Sequence, residues 1–173
     1  MHDLNCFVPD KAIDLGIVAT RVPTIELKSQ KDLNRLQDVG VASLSGSEEL
    51  LCKACLKKEF FLINPLQTPG FFKSDALVRS VADNDRVFEL PLRPLLHASF
   101  VYRAKALREL RLFLKKCLKL KAKFVFTSRA ESEFDLKTER EIIAILIQLG
   151  LTSQQASFVL NTQAKRVFEE FLK

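Results

Sequence analysis

Cys52-Lys53-Ala54-Cys55 places two thiols at the spacing of a zinc-binding pair. A closed structural zinc site takes about four ligands, so Cys6, Cys117 or a histidine must converge on that pair for metal to bind. Two core positions on an amphipathic helix explain the spacing more simply, and no metal ligand is assigned. The two histidines, His2 and His97, stand far from each other in sequence and outside any D-x-H triplet. Glycine occurs only at 16, 40, 46, 70 and 150, which excludes both G-x-G-x-x-G and G-x-x-x-x-G-K-[ST] phosphate loops. Ser128-Arg129-Ala130-Glu131-Ser132-Glu133 is the densest polar cluster, and it follows an apolar strand, where barrel enzymes build active sites. A stand-alone metal-dependent hydrolase using Ser128–Asp135 is the enzymatic alternative, but no histidine is adjacent in sequence, and no catalytic residue is assigned.

The cations carry more information. Residues 1–92 hold 11 Lys/Arg against 13 Asp/Glu, whereas residues 93–173 hold 16 against 8. From Arg93 to Arg129 there are 11 basic residues and one acid, Glu109. Within residues 100–120 a helical projection gathers Arg108, Arg111, Lys115 and Lys119 on one stripe. Leu107, Leu110, Phe113, Leu114, Cys117 and Leu120 fall opposite. Ordinary solvated faces interleave Glu with Lys in i,i+4 pairs, and this one largely does not. Like charges in a row repel one another, and a phosphate backbone reverses that cost, so the stripe points to a polyanion. An acidic partner protein, for which the chain is a basic scaffold, or a membrane surface is the other reading.

These residues need a scaffold, and the pattern supplies strands alternating with helices. Strands are expected at Leu4–Val8, Ile17–Arg21, Thr24–Lys28, Val41–Leu44, Phe60–Asn64, Val87–Leu90 and Lys123–Thr127. Helices are expected at Lys31–Val39, from Ser47 to about Lys58, at Lys73–Ala82, at Ser99–Leu120, from the capping box Thr138-Glu139-Arg140-Glu141 to Leu149, from Thr152, and at Gln163–Leu172. Repeated strand–helix units call for parallel strands. The expected fold is α/β: a TIM-barrel-like (β/α) barrel, compact or incomplete, of about seven parallel strands ringed by helices, with an open doubly wound sheet second. Residues 1–173 are read as one domain.

With 173 residues, 47% hydrophobic and 28% charged, the chain can bury a core and is neither disordered nor collagen-like. No apolar run reaches the roughly 18 residues of a membrane span, so no membrane partner is expected. Four scattered cysteines suit a reducing compartment, and a cytoplasmic location is expected.

Phe88-Glu89-Leu90-Pro91-Leu92-Arg93-Pro94-Leu95-Leu96, the long basic helix, Phe126-Thr127-Ser128-Arg129-Ala130, Asp135-Leu136 and Arg140-Glu141-Ile142-Ile143 closely resemble one family. It is the archaeal ribonuclease P protein component 3, related to the 30-kilodalton subunit of the eukaryotic enzyme. Asp3-Leu4-Asn5 and Gly150-Leu151 with Gln155-Ala156 are similar to it as well. The resemblance implies a TIM-related barrel that serves the ribonucleoprotein removing the 5′ leader of precursor tRNA. It implies that the RNA subunit with Mg²⁺ is the catalyst and that the protein itself binds no cofactor. It further implies partnership with ribonuclease P protein component 2 in a two-plus-two heterotetramer that helps fold the RNA. Where the family places RNA-facing cations, this chain offers Arg93, Arg103, Arg108, Lys115, Lys123, Arg129 and Arg140. The family also resembles metal-dependent hydrolase barrels that begin D-x-H-x-H. The matching start here is Asp3-Leu4-Asn5-Cys6-Phe7, without either histidine. Pro9–Gly16 leaves barely two turns between the first strands, a first third that is short for the family. With no Trp, one Tyr and most Phe in apolar runs, backbone and shape contacts are expected to outweigh base stacking.

Overall fold

A computed structural model describes residues 1–172. Its seven strands are β1 (His2–Asp3), β2 (Val18–Ala19), β3 (Thr24–Leu27), β4 (Ala42–Gly46), β5 (Phe61–Ile63), β6 (Val87–Pro91) and β7 (Lys123–Thr127). They form a two-stranded sheet, β1-β2, and a five-stranded sheet in the order β3-β4-β5-β6-β7. The β1–β2, β3–β4, β4–β5 and β5–β6 pairs are all parallel, as the alternating strand–helix pattern requires. The chain divides into two compact units: residues 1–21, 91–111 and 125–173, and residues 22–90 with 112–124.

The unit spanning 22–90 and 112–124 holds most of the larger sheet. Its crossovers are α2 (Gln30–Asn34), α3 (Glu48–Cys55) and α4 (Asp75–Asp83), each preceded by a serine cap. Strands β4 to β6 are buried along almost their whole length, as parallel strands covered on both faces are. Phe88 and Phe113 meet edge to face at 4.9 Å, and Phe71 meets Phe113 at 5.2 Å. The interior is not wholly apolar. Ser43, Ser45, Asn64 and Glu89 are buried there, and the Ser43 hydroxyl donates to the Glu89 carboxylate. Cα register in this sheet runs Thr24↔Ser43 and Ser43↔Leu62, so a single-residue slip would exchange these polar side chains with their apolar neighbours.

In the other unit the N-terminal segment is held between two neighbours. The Cys6 amide donates to the Thr20 carbonyl at 2.8 Å, the Arg129 amide donates to the Asn5 carbonyl at 2.9 Å, and the Phe7 amide donates to the Ala130 carbonyl at 2.9 Å. Leu92 and Arg93 donate to the Thr127 and Ser128 carbonyls on the far side of residues 127–130. Cys6, Ala12, Ile17, Ala130 and Leu136 form a small apolar core beneath.

Several boundaries depart from the sequence reading. The first strand is His2–Asp3, not Leu4–Val8, because Asp3 Oδ1 accepts the Asn5 amide at 3.2 Å and turns the chain out of the ladder. Pro9 does not merely stop a strand; it opens α1 (Pro9–Ile13), where its missing N–H costs nothing. A further short helix, α5 (Arg93–His97), begins in the same way around Pro94. Beyond it run α6 (Phe100–Leu120) and α7 (Glu139–Gln148), the latter opened by the Thr138–Glu141 capping box. The last helix is longer than its expected halves. From α8 (Ser153–Ser157) it continues through π turns at Phe158–Gln163 and Phe168–Leu172 that flank α9 (Ala164–Val167).

Candidate functional site

The outer face of α6 is as the projection places it. Leu110, Phe113, Leu114 and Cys117 are buried, Leu107 and Leu120 are half-buried, and Arg108, Arg111, Lys115 and Lys119 are exposed. The helix forms because 21 residues pass without Gly or Pro. Lys105 lies 3.9 Å from Glu109, the single acid of this helix. Along the stripe the cations therefore outnumber the carboxylates that could neutralise them.

The sequence-assigned cations divide by what their heads touch. Arg103 donates to the Leu96 carbonyl at 2.8 Å and so closes the end of α5. Arg111 donates to the Gln148 carbonyl at the end of α7. Lys123 pairs with Asp85 at 2.6 Å. Arg129 is half-buried, with its backbone in the left-handed region at φ 47°, which non-glycine residues seldom adopt. Arg108, Lys115, Lys119 and Arg140 are exposed and enter none of the ion pairs seen among the described residues.

Arg93 belongs to a constellation that adjacency in sequence does not reveal. Its Nη2 lies 2.8 Å from Glu131 Oε2 and its Nε 3.2 Å from Asp135 Oδ2. The buried Asp135 also meets His97 Nε2 at 2.5 Å and accepts the Glu131 and Ser132 amides at 3.1 and 3.2 Å. The His97 hydrogen bond, opposed by burial and helped by the Glu131 amide, Arg93 and the Ser132 amide, holds the Asp135 carboxyl well below the usual carboxylate range. Asp135 thus fixes α5 against the loop after β7. Besides the family motifs that contain Arg93 and Asp135, the local hint is Ser132 three residues before Asp135, which forms a capping box around that turn.

This arrangement does not resemble a nucleophile with its base. Ser132 Oγ donates to the Asp135 carboxylate at 3.3 Å rather than to the imidazole, and Ser128 Oγ accepts the Ala130 amide at 2.9 Å. At the position where hydrolase barrels begin their metal motif, Asp3 accepts the Ser128 amide on Oδ1 at 3.1 Å and on Oδ2 at 3.2 Å, besides the Asn5 amide. A carboxylate so engaged with backbone donors does not fit a metal ligand, and no group of three or more His, Cys, Asp or Glu gathers among the described residues. Burial raises the Cys52 thiol and pushes Cys55 up to about 11, as suits neutral core thiols on α3. Among the described residues no helix is long and apolar enough to cross a membrane.

Among the described residues, three aromatic rings are more than two-thirds exposed, Phe100 at 95%, Phe134 at 82% and Tyr102 at 72%, and Phe158 is exposed to a lesser degree. Phe100 and Tyr102 occupy the first turn of α6, before the helix settles onto its core.

Comparison with known proteins gives a consistent result. Residues 18–171 match the family model described as RNase P subunit p30. Ribonuclease P protein component 3 of Methanosarcina barkeri is 30% identical over 135 residues, covering 76% of this chain and 56% of that protein. The protein of the same name from Methanosarcina mazei is 28% identical over 134 residues, covering 75% and 55%. That from Methanothermobacter thermautotrophicus is 31% identical over 102 residues, covering 59% and 41%. The chain thus spans about half the length of the curated relatives it matches. Among solved structures, a chain of the cryo-EM structure of archaeal ribonuclease P with mature tRNA superposes with a TM-score of 0.71 at 16% identity, covering 97% of this chain and 80% of that one. The fold is therefore the TIM-barrel-like α/β fold of that chain, with the strands distributed over two sheets.

Proposed function

We propose, from the premise that this chain belongs to the RNase P subunit p30 family, that it is a protein subunit of the ribonucleoprotein that removes the 5′ leader of precursor tRNA. The observation that carries the mechanism is the outer face of α6, where exposed Arg108, Lys115 and Lys119 face solvent with a single acid, Glu109, on the helix. Such a face neutralises phosphates where RNA strands crowd together and lowers the Mg²⁺ that the RNA needs to hold its active fold. The RNA is the catalyst in this reading. The polypeptide is read as supplying neither nucleophile nor metal site; among the described residues the His97–Asp135 contact is part of the hub that positions α5.

The partners follow from the same reading: the ribonuclease P RNA, precursor tRNA within the holoenzyme, and component 2 in a two-plus-two heterotetramer, all in the cytoplasm. Arg140 extends the cation set on α7, and Arg93, Arg103, Arg111, Lys123 and Arg129 contribute field from fixed positions.

Precursor-tRNA cleavage at low Mg²⁺ by the cognate RNA with component 2, with and without this chain, tests the reading. Cleavage that requires the RNA and rises on addition of the chain is the expected result. Cleavage by the protein alone contradicts it in favour of a hydrolase, and no effect in either arm contradicts it in favour of a scaffold for an acidic partner.

A further inference from the structure

Arg21 carries a charge that no carboxylate of the described residues takes up. Its guanidinium carbon lies 4.7 Å from the centre of the Phe7 ring, and among the described residues that head enters no hydrogen bond or ion pair. Arg21 is exposed and Phe7 half-buried, so the ring forms the inner member of the stack. A guanidinium lying over a ring keeps its N–H donors in its own plane, clear of the ring and open to another group.

The pair stands at the C-terminal ends of neighbouring strands. β1 and β2 run parallel with His2 opposite Val18 and Asp3 opposite Ala19. The ladder continues past them, the Thr20 amide donating to the Asp3 carbonyl at 2.9 Å and the Cys6 amide to the Thr20 carbonyl at 2.8 Å. Phe7 and Arg21 are the next residue on each side. On the other flank of Phe7, its amide bonds to the carbonyl of Ala130, the residue after Arg129. The ends of β7, β1 and β2 thus bring Arg129, Phe7 and Arg21 to one edge, all within the unit of residues 1–21, 91–111 and 125–173. Parallel α/β folds gather their ligands at this end of the strands. Arg129, fixed with its backbone at φ 47°, adds positive field there.

What this edge offers is a flat fork of donors in a set orientation. A phosphodiester presents two non-bridging oxygens that such a fork takes side by side, with both charges in favour. Stacking on Phe7 restricts the arginine before the ligand arrives, so less freedom is lost on binding.

We propose that Arg21, held on Phe7, is a second site at which this chain grips an RNA backbone phosphate, built by the ends of β1 and β2 rather than by α6. The proposal rests on the RNA-subunit reading and extends it to a cation that neither the helical stripe nor the family motifs single out.

The test measures the affinity of the full chain for the cognate ribonuclease P RNA across a salt series. Arg21→Gln is expected to weaken binding about 10-fold at low salt and to reduce the slope of log affinity against log salt by roughly 0.9, the share of one phosphate. Its melting temperature is expected to fall by no more than about 2–4 °C, because the head touches only a ring face. Arg21→Lys is expected to keep the slope but recover only part of the affinity, since an ammonium lacks the planar fork. Phe7→Leu is expected to keep the slope and weaken binding roughly 2- to 5-fold. Combined with Arg108→Gln and Lys115→Gln, the Arg21→Gln loss is expected to multiply theirs, as separate contacts do. Unchanged affinity and slope in Arg21→Gln, as a dock for an acidic protein would give, overturns the site while leaving the subunit reading intact. Full recovery by Arg21→Lys overturns the stacked fork, and a combined variant no weaker than the α6 variant overturns a separate contact. A wild-type chain that binds no RNA overturns both proposals.

Discussion

Arg93 and Arg108 contribute equally to the net charge of +6, but they sit in opposite surroundings. Arg93, at the start of α5, is held by Glu131 and Asp135 and is about one-third exposed. Arg108, on the outer face of α6, has only solvent and the rim of a cleft beside it. The loop after β7 uses cationic charge to hold the protein together. The face of α6 leaves it available to another molecule. Net charge and local charge density do not distinguish the two, whereas the partners of each head group do.

The contrast is broken most severely by Asp135→Ala. Removing the carboxylate leaves Arg93 with Glu131 alone, and leaves His97 and the Glu131 and Ser132 amides without their acceptor, and urea unfolding is expected to show a loss of about 3 kcal/mol. The same group sets an acid sensitivity. Its carboxyl titrates below the ordinary value in the folded chain, so its stabilisation is present above about pH 4, the unfolded value, and is lost as the pH falls below it. A melting-temperature series from pH 6 downward is expected to fall more steeply for the wild type than for Asp135→Asn. Arg93→Ala comes next, with a stability loss of about 1–2 kcal/mol, since the hub keeps His97 and both amides. The smallest stability effect is expected for Arg108→Gln with Lys115→Gln, within about 0.5 kcal/mol by urea unfolding. A loss there as large as that of Arg93→Ala would erase the distinction between the two regions.

Local signals made much of this molecule readable. The α6 boundaries, its buried and exposed sides and the Thr138 capping box depend on residues within a turn or two of each other, and all appear where spacing places them. Proline at the head of α1 and α5 was an available signal too, since both helices place it in their first turn. For the Asp135 hub the local signal is limited to the Ser132–Asp135 capping box. The hub joins residues 38 and 42 positions apart, and nothing in the neighbourhood of Arg93 or His97 marks their common acceptor. The first strand departs from its apolar pattern for a related reason. Leu4–Val8 is apolar enough to be a strand, but the Asp3 side chain takes the Asn5 amide and, from a distant part of the chain, the Ser128 amide. The exposure of Phe100 was hidden because hydrophobicity is read as burial unless the neighbours that would cover it are known.

The central claim is that the open face of α6, not the bonded cations, meets RNA phosphates. Its most direct measurement is the dependence of RNA affinity on salt for the wild type and for Arg108→Gln with Lys115→Gln. The account predicts that log affinity falls linearly with log salt for the wild type, with a slope reduced by roughly 1.5 in the double variant. Identical slopes for the two proteins, or a wild-type affinity indifferent to salt, would contradict it.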